Sequence, residues 1–155
     1  MKKVLRGIGI AFIVVFVGIQ FYRPEKTNPP VDPSKTLFAV VPVPEEVRTV
    51  IERSCFDCHS NETRWPWYSS IAPAMWVVTA DVEEGREHLN FSEFGDYKPL
   101  RAVAKLDMMC EQVLNGNMPL PNYLTLHPGA ELSPQEVDLL CDWVESVRDS
   151  LYALR

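Results

Sequence analysis

The sequence predicts an all-α fold, on three observations. Apolar residues recur at helical spacing in four separate stretches, prolines and acidic residues stand where helices begin, and no stretch alternates over strand length. A chain of 155 residues that is 46% hydrophobic and holds four tryptophans suits one modest core plus an appendage.

The appendage comes first. "MKKVLRGIGIAFIVVFVGIQFYR" opens with Lys2, Lys3 and Arg6 and then runs apolar from Gly7 to Ile19. It reads as a signal sequence or, because "VGIQFYRP" offers only Gly18 as a small residue for cleavage, as an uncleaved transmembrane anchor over residues 1–22. Its short core requires Arg6 and Arg23 to snorkel, with Tyr22 at the interface. The positive-inside rule then keeps the N-terminus cytoplasmic and exports the remainder.

Residues 23–43 carry Pro24, Pro29, Pro30, Pro33 and Pro42, which exclude a long helix and favour polyproline II. Fully extended, these 21 positions reach roughly 60 Å at about 3.1 Å each, a spacer between membrane and domain, unless "LFAVV" packs back. The domain itself is expected over residues 44–152.

Its first helix lies in "PEEVRTVIERSCFDCH", where Val47, Val50, Ile51, Ser54, Cys55 and Cys58 share a face. A second is expected from about Pro73 to Glu87. Pro99 opens a third, with Leu100, Val103, Leu106, Cys110, Val113 and Leu114 inward, and "NGN" ends it. Ser133, Pro134 and Glu136 form a capping box that opens the fourth, whose stripe is Val137, Leu140, Cys141, Val144, Val147 and Leu151. In an oxidising compartment Cys110 and Cys141 are candidates for a disulfide between helices three and four; two buried thiols are the alternative.

The first 26 residues hold five of the 15 Lys+Arg and one of the 21 Asp+Glu, so residues 27–155 carry a net charge near −10. Such a surface repels phosphate backbones and makes nucleic acid an unexpected partner. It suits the basic docking face of another protein.

The chemistry centres on Cys55–Phe56–Asp57–Cys58–His59, a C-x-x-C-H motif. Two cysteines three apart at a helix end suit two thioether links to one haem, with the adjacent histidine under the iron. Export would deliver the chain to the compartment where such attachment occurs. Zinc would need two further ligands at suitable spacing, and only Cys110, Cys141, His88 and His127 remain, each isolated. A redox dithiol would need a preceding strand.

With His59 proximal, the second axial position decides the function. Met118, in "NGNMPLPNY", sits on a loop stiffened by Pro119 and Pro121, and its soft sulfur suits haem iron. His127 in "LTLHPGAEL" is the alternative; His88 and Met75 are weaker candidates, and an open site is the last. Arg64 is a candidate partner for a propionate, Trp65, Trp67 and Tyr68 for pocket walls, and the Pro73 carbonyl for the acceptor that orients His59.

Taken together, "CFDCHSNETRWPWYSSIAP", "EEGREHLNFSEF", "NMPLPNYLTLHP" and "LSPQEVDLLCDWV" resemble the bacterial haem-binding domain family of small exported monohaem proteins, from about Pro29 to Val147. More distantly, the order of motifs resembles class I cytochromes c. The resemblance implies a small cytochrome-c-like domain with one covalent haem c on Cys55 and Cys58, His59 as ligand and, by the cytochrome pattern, Met118 opposite. The expected function is single-electron transfer between redox proteins, by a domain held at the periplasmic face of a bacterial inner membrane. A haem-based gas sensor or a haem peroxidase, either with an open distal site, is the alternative, and only the last is an enzyme.

Overall fold

Prolines and caps set most of the helix boundaries. The computed structural model describes the backbone of residues 1–153 and the side chains of residues 1–150, and within them there are helices and no strand, as the all-α expectation requires. The long helices are α1 (Lys2–Ile19), α3 (Glu45–Ser54), α5 (Ala74–His88), α6 (Pro99–Leu114) and α8 (Pro134–Ala153). Between them lie the short α2 (Leu37–Val40), α4 (Phe56–His59) and α7 (Pro121–Leu126), with 3-10 turns at Pro33–Lys35, Trp67–Ser70, Phe91–Asp96 and Pro128–Ala130.

Helix α3 follows Pro44 and places Glu45 and Glu46 in its first turn, where the helix dipole favours negative charge. It buries Val47, Val50, Ile51 and Ser54. The expected continuation through Cys58 is broken at Cys55, whose φ of −122° leaves α4 as a separate turn. In α8 the capping box forms as read: the Ser133 N–H donates to Glu136 Oε2 at 2.8 Å, and the Glu136 N–H donates back to Ser133 Oγ at 3.3 Å. Arg53 Nη1 donates to Glu136 Oε1 at 2.7 Å and ties α3 to α8.

Helices α6 and α8 pack together over Leu106, Val113, Leu140, Val144 and Val147, with Val47 and Ile51 of α3 closing the core beside Phe91 and Phe94. A Cys110–Cys141 disulfide, Cα–Cα 5.3 Å, joins the two helices. Two stripe assignments change. In α6 the buried residues are Ala102, Val103, Leu106, Met109 and Val113, and this phase leaves Leu100 and Leu114 exposed. In α8, Trp143 joins the core and its indole donates to the Pro42 carbonyl at 3.1 Å. The Leu151 side chain lies outside the described residues.

The segment read as a spacer is a strap laid on the domain. Its prolines prevent a long helix, but Leu37 is fully buried, Val41 nearly so, and Lys35 pairs with Asp96 at 2.8 Å. Gly95 permits the approach, since a Cβ there would stand 3.1 Å from the Lys35 backbone. Upstream, Arg86 donates to the Thr27 carbonyl at 2.8 Å and to Asn28 Oδ1 at 3.0 Å, and Asn28 Nδ2 donates to the Thr63 carbonyl at 2.9 Å.

Helix α1 exists from residue 2, exposed along almost its whole length. Yet among the described residues no helix is long and apolar enough to cross a membrane. The 18 residues of α1 rise about 27 Å, short of a hydrocarbon core of roughly 30 Å, and Lys2, Lys3 and Arg6 occupy its start. The transmembrane expectation is corrected to that extent.

Candidate functional site

The C-x-x-C-H turn is held against the end of α5. The His59 N–H at Nδ1 is shared between the carbonyls of Gly85, at 2.8 Å, and Leu89, at 3.0 Å. These acceptors belong to the last turn of α5 and its cap, and the Gly85 carbonyl also accepts from the Leu89 N–H at 2.9 Å. The bond leaves Nε2 of the neutral ring with its lone pair free to ligate. Burial pushes the His59 pKa below its ordinary value, although the two carbonyls oppose the shift.

Gly85 is what lets the two segments meet. A Cβ there would lie 2.6 Å from the Cys58 carbonyl oxygen, so any side chain would drive α5 away from α4. The His59 ring also meets the Phe91 ring at a steep angle, centroids 6.2 Å apart, and Phe91, Phe56 and Phe38 stack in series behind the turn.

In front of the turn lies a cavity of about 410 Å³, within the range of small-molecule sites. Cys55, Cys58 and His59 form one part of its wall; Met109, Met118 and Tyr123 contribute elsewhere. Asp81, Glu84, His88 and Lys105 also line it, and Lys105 Nζ donates to the His88 carbonyl. Both cysteines are free thiols, and burial pushes each pKa up to about 12, so neither ionises near neutral pH.

The loop bearing Met118 is shaped by its own sequence. Gly116, at φ 68°, ends α6 in the left-handed region, and the Asn117 and Met118 N–H groups turn back to the Gln112 carbonyl. Met118 packs against the core and lines the cavity.

Other expected site residues go elsewhere. His127 stacks on Tyr123 at 4.1 Å and lines, with Tyr68 and Arg64, an adjoining cavity of about 220 Å³ that shares Cys58 and Tyr123 with the first. Arg64 pairs with Asp57 at 3.0 Å rather than standing free for a propionate. The Trp65 indole donates to Asn28, Trp67 is 77% exposed, and neither lines the larger cavity. The Pro73 carbonyl accepts from the Trp76 N–H, so the expected orienting role passes to Gly85 and Leu89. Met75 is core, and His88 reaches the cavity wall from an exposed position.

Sequence reasoning missed Gly85, Leu89, Met108, Met109, Lys105 and Tyr123. A glycine inside an otherwise amphipathic helix was the one signal available, since such a residue marks close backbone approach.

Among the described residues no three His, Cys, Asp or Glu side chains cluster as ligands of a metal ion, which a zinc site would need. An imidazole lone pair, two thiols and a thioether around one mostly apolar space instead fit an iron porphyrin. The model of a family described as "Haem-binding domain" matches residues 14–146. Comparison with the curated proteins and with the solved structures returned no match.

Proposed function

The chain belongs to the haem-binding domain family, and on that premise we propose that it holds one haem c covalently and carries single electrons between redox proteins. One observation carries the reading: Cys55, Cys58, His59 and Met118 line the same cavity. Haem supplies an iron that accepts and releases one electron.

The chain's own residues do the rest. Cys55 and Cys58 are the thioether tethers. His59 offers Nε2 to the iron, and the Gly85 and Leu89 carbonyls hold its ring in one orientation and one tautomer. Met118 would hold the iron through its sulfur, a soft ligand that would favour the reduced state. Leu89, Phe91, Met109 and Val113 keep water from the site, lowering the reorganisation that accompanies each transfer. The net charge near −10 of residues 27–155 suits partners with a basic docking face.

We place the domain on the periplasmic side of a bacterial inner membrane, held there by the apolar run of α1 entering the lipid, although α1 is too short and too charged at its start to cross it alone. Support comes from the apolar run of α1, its three cations at the start, and its exposure. The test is chemical. Full-length protein matured alongside a working haem-attachment apparatus is denatured and extracted with acidic acetone. Colour retained on the peptide is the expected result, and Cys55→Ala with Cys58→Ala should abolish it. A colourless wild-type peptide would refute covalent attachment.

A further inference from the structure

Around the point where α1 meets the domain, the surface is apolar and aromatic. Gln20 forms a double hydrogen bond with Ala72: its Nε2 donates to the carbonyl at 3.2 Å, and its Oε1 accepts from the N–H at 2.9 Å. Next to it, the Trp76 indole donates to the Tyr22 carbonyl at 2.8 Å, and the two rings meet edge to face at 5.9 Å. Lys26 then bonds the hydroxyls of Ser69 and Ser70, and Arg86 grips Thr27 and Asn28. These bonds tie residues 20–28 to the domain and set the start of α5 and the turn before it at the base of α1.

That base is poorly suited to water. Phe21 and Tyr22 are exposed just after α1, Ile71 and Val77 are exposed next in sequence to the pinned residues Ala72 and Trp76, and Trp67 is exposed in the 3-10 turn that packs on α5. Aromatic residues with apolar neighbours are the composition of a membrane interface, where a ring's apolar body and polar edge are both accommodated. Arg23 and Lys26 follow immediately and give the junction cations for anionic headgroups.

We propose that this face, built from Phe21, Tyr22, Trp67, Ile71 and Val77, seats the domain in the lipid headgroup region. The domain then rests on the bilayer in a fixed orientation instead of riding on a stalk. The inference rests on the reading of α1 as a membrane anchor. Continuity singles out lipid as the occupant: the patch begins where the inserted helix ends, so burying α1 brings the patch to the interface.

The test uses full-length protein in vesicles of phosphatidylethanolamine and phosphatidylglycerol. A benzophenone amino acid replaces Phe12 in α1, Trp67, Val77, or, as a control, Leu114, which is exposed at the end of the helix that packs on α8. Lipid photoadducts at Phe12, Trp67 and Val77 and none at Leu114 are expected. Adducts at Phe12 alone would leave the anchor standing and overturn the seat. Absence of adducts at Phe12 as well would overturn the anchor and the seat together. Protein–protein adducts at Trp67 or Val77 would give the face to another chain and overturn the proposal.

Discussion

The Nδ1 of His59 lies 2.8 Å from the carbonyl oxygen of Gly85, across a helix contact that only glycine permits. One residue thus performs two tasks. Its missing side chain admits the Cys58 carbonyl, and its carbonyl orients the imidazole of the same turn. The cysteine turn and the end of α5 therefore behave as one unit.

Gly85→Ala separates these effects from ordinary surface change. Overpacking of this kind costs about 1–3 kcal/mol, and here it also shifts the acceptor away from His59. We expect a lower melting temperature and less haem bound per chain, by thermal denaturation and the haem-to-protein ratio. Gly129→Ala, where an added Cβ meets nothing within 4 Å, should change neither.

Acid should unfold the haem-free chain in two separable stages. His59 has a folded pKa below its unfolded value near 6.5, so above that value it imposes no penalty. As pH falls below it, the unfolded chain takes the proton more readily and stability declines until the folded pKa is reached. Glu136 behaves as a stabilised carboxylate. Arg53 holds its pKa down at about 2, so its contribution is present above about 4.5 and is lost as pH falls from there towards 2. Denaturation midpoints from pH 8 to pH 3 should show the first stage removed by His59→Ala and the second by Glu136→Gln.

Much of this arrangement is legible in the sequence where the signal is local. Pro99, Ser133 with Pro134, and Glu136 announce helix starts because a cap is a short-range device. The C-x-x-C-H spacing likewise puts two thiols and an imidazole on one turn beside one cavity. His59's acceptors are not legible, because backbone carbonyls carry no residue label. Nor is the docking of the 23–43 strap, since prolines dictate local conformation but not what Leu37 will bury against. Trp65 and Trp67 show the same limit: composition promises aromatic walls without saying which way a ring faces.

Met118 and His127 make opposite predictions. Met118 lines the cavity that holds His59, whereas His127 is stacked on Tyr123 and lines the other one. Met118→Ala should open an axial position, turning an iron indifferent to carbon monoxide into one that binds it stoichiometrically, and should lower the reduction potential. His127→Ala should leave the spectra of both oxidation states unchanged. The reverse pattern would move the distal ligand to His127.

The Cys110–Cys141 bond closes a loop with a sequence separation of 31 between α6 and α8. Loop-closure entropy alone values such a link at about 3–4 kcal/mol. Cys110→Ala with Cys141→Ala should lower the urea midpoint accordingly without removing haem, because the proposed tethers are Cys55 and Cys58. Retention of the wild-type midpoint would show that packing between α6 and α8 already holds the loop closed in the unfolded ensemble.

Tyr123 joins the Met118 loop to the cysteine turn. Its hydroxyl donates to Asp57 Oδ2 at 2.9 Å, while Arg64 Nε holds Oδ1 at 3.0 Å, and Asp57 stands between the two cysteines. Tyr123→Phe deletes one hydrogen bond to a charged acceptor, a loss of about 1.5–3 kcal/mol, and frees α7, which begins three residues beyond Met118. Asp57→Asn keeps the shape but weakens both contacts. If the latch couples the two loops, the double variant should lose less stability than the two single losses combined, with an interaction energy of about 0.5–3 kcal/mol in urea titrations. The Tyr123→Phe protein should also bind carbon monoxide to a measurable extent where the wild type does not, since the loop that presents Met118 has lost its tie to the proximal turn. Additive losses with unchanged ligand binding would mean that Asp57 merely solvates the turn and that the sulfur is positioned by Gly116 and the two prolines alone.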